Sequence, residues 1–357
     1  MDSSSRVRSE RGRRVSGVGA SAGRADAQEG PARDDIAISA RGLTRDFGAF
    51  RAVDHVDFEV RQGEIFGLLG ANGAGKTTVI KMLTGLLPPS AGEGQVAGVD
   101  MRRAGRAIKE RIGYMSQAFS LYRDLSVIEN LTLYARIYGV RGRRLRRRVR
   151  EIVERTGLEG IAPRLAGDLP MGLRQRLAIA CALVHGPRVL FLDEPTSGVD
   201  PVGRRRFWDI LVRLARETRV AILVTTHHMA EAEHCDRLAL MAEGRIVESA
   251  SPEAMKRALV RDAGTTIEVS AEPSWRALAV LGEAGFAGAA LHGRRIHLFA
   301  PDPDRATERI RTVLEAEGIP VEAVGLREPA LEDVFVHRIL AVEREREQDR
   351  EQDGDRS

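Results

Sequence analysis

The stretch Ile65-Phe-Gly-Leu-Leu-Gly70-Ala-Asn-Gly-Ala-Gly-Lys76-Thr77-Thr78-Val-Ile-Lys-Met-Leu83 decides the architecture. Its first part, Ile65–Leu69, is a short apolar run bounded by turn residues, the pattern of a strand buried on both faces. Its middle, from Gly70 to Thr77, matches G-x-x-x-x-G-K-[ST]. Val79, Ile80, Met82 and Leu83 then supply the apolar face of a helix. Strand, glycine loop and helix together make a phosphate cradle. Gly73 and Gly75 let the backbone curl, so that its N–H groups point inward at phosphate oxygens. The helix start adds a partial positive charge, Lys76 a full one, and Thr77 offers a hydroxyl to Mg²⁺. A glycine turn with a chance lysine would lack the flanking strand and helix.

Further along, Val189-Leu-Phe-Leu192 ends in Asp193-Glu194. Paired with a phosphate loop, an acid pair at a strand end suits a metal-dependent hydrolase. Asp193 is placed to hold Mg²⁺ and Glu194 to polarise the attacking water. Val220–Val224 is a third buried-strand run, and helical patterns between the runs imply crossovers and a parallel sheet. Val56–Val60 alternates and reads as an antiparallel strand. Leu238–Ala242 and Arg245–Glu248, joined by Glu243-Gly244, read as a hairpin.

The 357 residues are 43% hydrophobic and 30% charged, with 55 basic against 51 acidic side chains. No apolar run approaches the ~20 residues that span a bilayer; Leu177–Val184 is among the longest. No N-terminal apolar stretch with a cleavage site argues for secretion. Two cysteines, Cys181 and Cys235, build no disulfide framework or metal cluster, which fits a reducing cytoplasm. Aromatics at 4% weaken any base-stacking reading, and no nucleic-acid partner is expected.

Other segments complete a train of motifs: Gln117 after Tyr114-Met-Ser, Leu169–Arg176 ahead of the acid strand, Ser197-Gly-Val-Asp200 after it, and His227 after Val220–Thr226. In this order the chain resembles the ATP-binding cassette of ABC transporters over about residues 36–250. Glu328-Pro-Ala-Leu-Glu-Asp-Val-Phe335 resembles the ending of drug-exporter ATPases of the daunorubicin-resistance type. The implied fold is α/β: a P-loop NTPase cassette with a parallel core sheet, an antiparallel β subdomain and an inserted helical subdomain, followed by a small C-terminal α+β domain. The expected division is a disordered tail over 1–34, the cassette over 35–250 with its helical part at about 118–185, a linker helix at 251–265, the accessory domain at 266–341 and a charged tail at 342–357. In that last domain Ser274 is expected to cap a helix carrying Trp275, Leu278 and Leu281.

The resemblance assigns roles residue by residue. Gly70, Ala71, Asn72, Gly73, Ala74, Gly75, Lys76, Thr77 and Thr78 hold the phosphates of ATP. Thr77, Asp193 and Gln117 hold Mg²⁺. Glu194, His227 and Lys76 are catalytic; His228 is the weaker candidate beside His227. Phe47, with Phe50 as fallback, stacks on the base, and GTP then fits as well. Gly172 and Asp200 reach across a dimer to the partner's nucleotide. The implied partners are a separate membrane permease and a second cassette, identical or not, with the chain peripheral on the cytoplasmic face of the plasma membrane. The segment Tyr114–Tyr138 holds all four tyrosines and is either the permease-facing surface or core.

The signature segment departs from the family's Leu-Ser-Gly-Gly-Gln, reading Leu169-Pro-Met-Gly-Leu173. Pro170 has neither hydroxyl nor N–H, and Met171 cannot cheaply adopt glycine-like angles. One or two charge-assisted hydrogen bonds of roughly 1.5–3 kcal/mol each are then missing. An altered but working site, unequal sites in a mixed pair, and a module that binds ATP without hydrolysis all follow from this. A soluble cassette acting on ribosomes or DNA is a further alternative. Seven of the ten residues Arg141–Arg150 are arginine; the reading is a solvated helix, with attraction to anionic lipid as the alternative.

Overall fold

The structure, a computed structural model, describes residues 35–354 apart from 104, 118–120 and 287, with side chains as far as 344. The expected N-terminal tail and the last residues of the charged terminus lie outside the described residues.

The central sheet has six strands in the order Arg245–Ala250, Arg237–Ala242, Ile65–Leu69, Ala221–Thr226, Val189–Asp193 and Ile112–Met115. All pairings are parallel except the first, the expected hairpin. Both faces are covered, which explains the unbroken apolar runs. Ile65, Leu69, Leu190, Leu192, Ile222 and Val224 enter one core, with Phe207, Trp208 and Leu211 of the helix Pro201–Thr218 and with the inserted helices. Phe66, Leu68, Val189, Phe191, Ala221 and Leu223 enter the other, with Val79, Ile80 and Leu83 of the helix Lys76–Leu83. Alternate residues of each strand thus serve opposite cores, as a period of two requires.

That second core is closed by an antiparallel sheet in the order Phe50–Arg61, Ile36–Phe47, Ala91–Val96, Val99–Asp100. Phe58 stacks on Phe66 of the central sheet at 5.3 Å. Between Ile112–Met115 and Val189–Asp193 come the helices Val127–Ile137, Gly142–Thr156 and Met171–Leu183. The first starts with a reciprocal cap between Ser126 and Glu129. Its buried Asn130 donates to the carbonyls of Tyr122 and Leu125 at 3.0 and 3.1 Å, fixing the loop ahead of the helix.

A third sheet, Ala290–His292, Arg295–Ala300, Thr265–Ala271, Val321–Arg327, is antiparallel throughout. The helices Ser274–Glu283 and Pro303–Ala316 cover one face with Ala277, Leu281, Ile310 and Leu314. One expectation changes here. Ser274 is the first helical residue rather than its cap; Pro273 holds that place and supplies no side-chain bond. Trp275 points outward, 70% exposed. The short strand Ala290–His292 carries no apolar pattern long enough to announce it. The helix Pro252–Ala263 joins this sheet to the cassette.

The final helix, Leu331–Gly354, bridges the two parts. Leu331 and Val334 enter the core beneath the central sheet. Asp333, on the same turn, meets Nδ1 of His297 at 2.8 Å and accepts the N–H of Ala330. Burial pushes its carboxyl up, but His297, that N–H and Arg327 outweigh burial and hold it below the usual range. Arg338 then ties the helix to Glu248 at 2.7 Å and Asp262 at 2.8 Å.

Phe191 stands wholly buried between the helix Lys76–Leu83 and its neighbouring strands. Phe191→Ala is expected to lower unfolding stability by about 3–5 kcal/mol, read as a drop in urea midpoint; a loss below about 1 kcal/mol would contradict this packing.

Candidate active site

The register of the parallel strands sets the site. Leu69 pairs with Thr226, and Asp193 with Thr225, so three strands end level with one another. The loops leaving them carry Gly70–Gly75, Glu194 and His227 to one edge, where ligands bind in open parallel sheets.

The glycine loop is sterically required. Gly73 and Gly75 have φ of 87° and 103°, the left-handed region. A Cβ on Gly75 would also stand 2.6 Å from the carbonyl oxygen of Ala52. Ala74, by contrast, packs into the core. The helix Lys76–Leu83 begins without a side-chain cap. Its first N–H groups therefore have no side-chain acceptor, as suits an anion site.

Lys76 is 5% exposed. Its ammonium donates to the carbonyls of Gly70 at 2.8 Å and Ala71 at 3.0 Å, and lies 3.8 Å from Glu194 Oε1. Burial pulls its pKa down, and the charges of Glu194 and Asp193 work against that pull. Thr77 Oγ1 donates to Asp193 Oδ1 at 3.0 Å, and Thr225 Oγ1 to the same oxygen at 2.7 Å. The pairing of Thr77 with Asp193 sets hard oxygen donors side by side, the set Mg²⁺ prefers.

Glu194 follows with φ at 47°, uncommon outside glycine. Its N–H donates to Thr225 Oγ1 at 3.0 Å. Its carboxylate accepts from Gln117 Nε2 at 3.3 Å and lies 3.4 Å from His227 Nδ1. The His228 ring is 4.1 Å from His227; burial and that neighbour lower its pKa. A cavity of about 540 Å³ is lined by Lys76, Thr77, Gln117 and Glu194 together with Phe47, Phe50, Asn72 and Thr78. Both phenylalanines stand at its mouth, 47% and 65% exposed. The Arg45 guanidinium lies 4.7 Å over the Phe47 ring.

Gly172 and Asp200 are not part of this cavity. They lie near each other, Gly172 facing Gly203 and Val199. Asp200 caps the helix Pro201–Thr218, accepting the Gly203 N–H at 2.8 Å, with Pro201 in the first turn. Pro170 is the N-cap of the helix Met171–Leu183. Met171 opens this right-handed helix and is not among the residues with positive φ, so it does not take up glycine-like angles.

Two supports escaped the sequence reading. Thr225 binds both Asp193 and the Glu194 backbone. Glu231, 1% exposed, accepts from Thr226 Oγ1 at 2.8 Å and from Thr196 Oγ1, with Arg204 Nε at 3.2 Å. This carboxylate braces the loops after both catalytic strands. The hydroxyls at Thr225-Thr226, closing an otherwise apolar run, were the available signal.

Residues 53–197 match the family model described as ABC transporter. A probable multidrug ABC transporter ATP-binding protein of Escherichia coli, YbhF, is 46% identical over 228 residues, covering 64% of this chain; the chain spans 39% of that relative's length. The daunorubicin resistance ATP-binding protein DrrA3 of Streptomyces coeruleorubidus is 35% identical over 306 residues, 85% of this chain and 96% of the relative. Among solved structures, CbiO1 of Clostridium perfringens, part of the ABC transporter complex CbiONQ, superposes with a TM-score of 0.59 at 28% identity, over 64% of this chain and 96% of that one. The chain belongs to the ABC transporter ATP-binding proteins.

Thr225→Val removes the hydroxyl shared by Asp193 and Glu194 while keeping the side chain's shape. Steady-state phosphate release should fall by about tenfold, near the value of one such hydrogen bond, with the fold intact by circular dichroism. An unchanged rate would remove Thr225 from the site.

Proposed function

We propose that the chain is the ATP-hydrolysing subunit of an exporter, working as a pair of cassettes beneath a separate membrane permease. One observation carries this reading: at one sheet edge Thr77 meets Asp193, and Lys76, Gln117 and His227, far apart in sequence, all come within ion-pair or hydrogen-bond reach of Glu194. The triphosphate lies against the N–H groups of residues 73–78, with Lys76 turning from the loop carbonyls to its β- and γ-oxygens. The base rests on Phe47 or Phe50, a contact with little preference between ATP and GTP. Thr77, Asp193 and Gln117 would hold Mg²⁺, which supplies charge neutralisation at the phosphates when bound.

Glu194 takes a proton from the attacking water, and His227 keeps that carboxylate and the γ-phosphate in line. Gln117 feels the change at Glu194 and passes it to the segment through Tyr138, the permease side. Across the dimer, Gly172 and the helix start behind it face the partner's γ-phosphate, with Asp200 beside them. ATP binds the closed pair more tightly than the open one, and that difference moves the permease. The exported compound is drug-like or lipophilic, by analogy with the relatives' names, and the chain works on the cytoplasmic face of the plasma membrane. Residues 266–341 form an accessory domain that stabilises assembly.

Pro170 favours a second reading, in which this chain pairs with a different cassette and only one of two sites is fast. Two substitutions address these readings. Glu194→Gln should keep ATP binding while lowering kcat by at least about a hundredfold, and should trap an ATP-bound dimer on size exclusion; wild-type turnover in this variant would sink the assignment of Glu194. Pro170→Ser restores a hydroxyl and an N–H. It should strengthen ATP-dependent dimerisation of the chain by roughly tenfold or more, the value of one charge-assisted bond. No change would favour the mixed pair.

A further inference from the structure

The helix Gly142–Thr156 carries a charge distribution that the nucleotide site does not use. Its inner face, Val149, Ile152, Val153 and Thr156, is buried against the helices on either side. Its outer face holds Arg143, Arg146, Arg147 and Arg150, all exposed. These occupy positions i, i+3, i+4 and i+7, which fall on one side of a helix. Arg141, at the N-cap, and Arg144 are exposed beside them. None of the six forms an ion pair with a described residue. The neighbouring arginines are committed elsewhere. Arg148 donates to the carbonyls of Val184 and Leu183, both at 3.1 Å, and pairs with Glu151. Arg155 pairs with Glu151 and Glu217. Glu154 is the acidic residue on the arginine side, one turn beyond Arg150.

Like charges at these spacings repel and weaken a helix. Arginines at the helix start also meet the positive end of its dipole. Among the described residues no ion pair offsets either penalty at these six arginines, so an external polyanion would relieve both. Ile137 is 62% exposed, at the end of the preceding helix, four residues before Arg141 in the chain. Arginine beside an exposed aliphatic group suits the headgroup zone of a bilayer. Bases would need aromatic platforms to stack on, and the arginine face carries none.

We propose that the outer face of the helix Gly142–Thr156 is a docking surface for the anionic headgroups of the membrane in which the permease sits. This rests on the reading that the chain works at a membrane. The contact gives the cassette a second hold on the bilayer beside the permease and screens the repulsion along the helix. It uses phosphate–guanidinium contacts, so it weakens as salt rises.

The test is flotation of the full chain with vesicles of pure phosphatidylcholine and with vesicles containing roughly one-third phosphatidylglycerol, at low and high salt. Binding to the anionic vesicles alone, lost at high salt, is expected. The variant Arg143→Gln, Arg146→Gln, Arg147→Gln, Arg150→Gln should lose it by at least about tenfold, while keeping basal ATPase and a melting temperature no lower than wild type. Equal flotation of the variant would place the basic site elsewhere in the chain and overturn the proposal. Binding through these arginines to duplex DNA or RNA but not to the vesicles would overturn it as well. Lys76→Ala should float like wild type, so a failed ATPase reading and a failed docking surface give different results.

Discussion

A lysine ammonium with almost no access to water is the condition around which this molecule is arranged. Burial pulls the pKa of Lys76 down. The carbonyls of Gly70 and Ala71 accept from its ammonium, and the charges of Asp193 and Glu194, acids from a strand over a hundred residues away, oppose that pull. The carbonyls reach it only because the loop curls through the left-handed angles of Gly73 and Gly75. The acids reach it only because Val189–Asp193 lies in register beside Ala221–Thr226, itself paired with Ile65–Leu69. Loop geometry and strand order thus meet at one buried cation.

The same strand ends explain why threonines close an apolar run. Inside the sheet every residue of Ala221–Val224 serves one core or the other. At Thr225 and Thr226 the sheet gives way to the cavity, and the hydroxyls go to Asp193, Glu194 and Glu231. A buried carboxylate such as Glu231 is tolerable only with several donors. Thr196 and Thr226 supply them, with the Arg204 guanidinium as counter-charge, and together they tie the two loops that present Glu194 and His227.

The final helix shows how the C-terminal sheet is fastened to the rest. Leu331 and Val334 are core residues of the cassette, while Asp333 on the same turn faces His297 of the third sheet. One helix therefore presents an apolar side to one unit and a buried acid to the other. Movement of either unit would break a packed contact or strand a buried charge, so the two are coupled through a short stretch of chain.

The phosphate loop, the three buried strands, the hairpin and the acid pair were all legible in the chain, because each depends on neighbours within a few residues: a glycine at a forbidden angle, an alternation, a strand ending in two acids. The central sheet's class follows from the same local patterns. Strand order, and with it the meeting of Thr77 with Asp193 and of Gln117 with Glu194, depends on contacts between distant segments that no local pattern encodes. The supports Thr225 and Glu231 were missed for that reason, since a hydroxyl or a carboxylate shows its partner only when the chain is folded. Ser274 opens its helix rather than capping it, a shift of one residue with Pro273 in the cap position. Likewise the arginines at 141–150 read as a solvated helix, with attraction to anionic lipid as the alternative, and only the folded helix divides them into a face with partners and a face without.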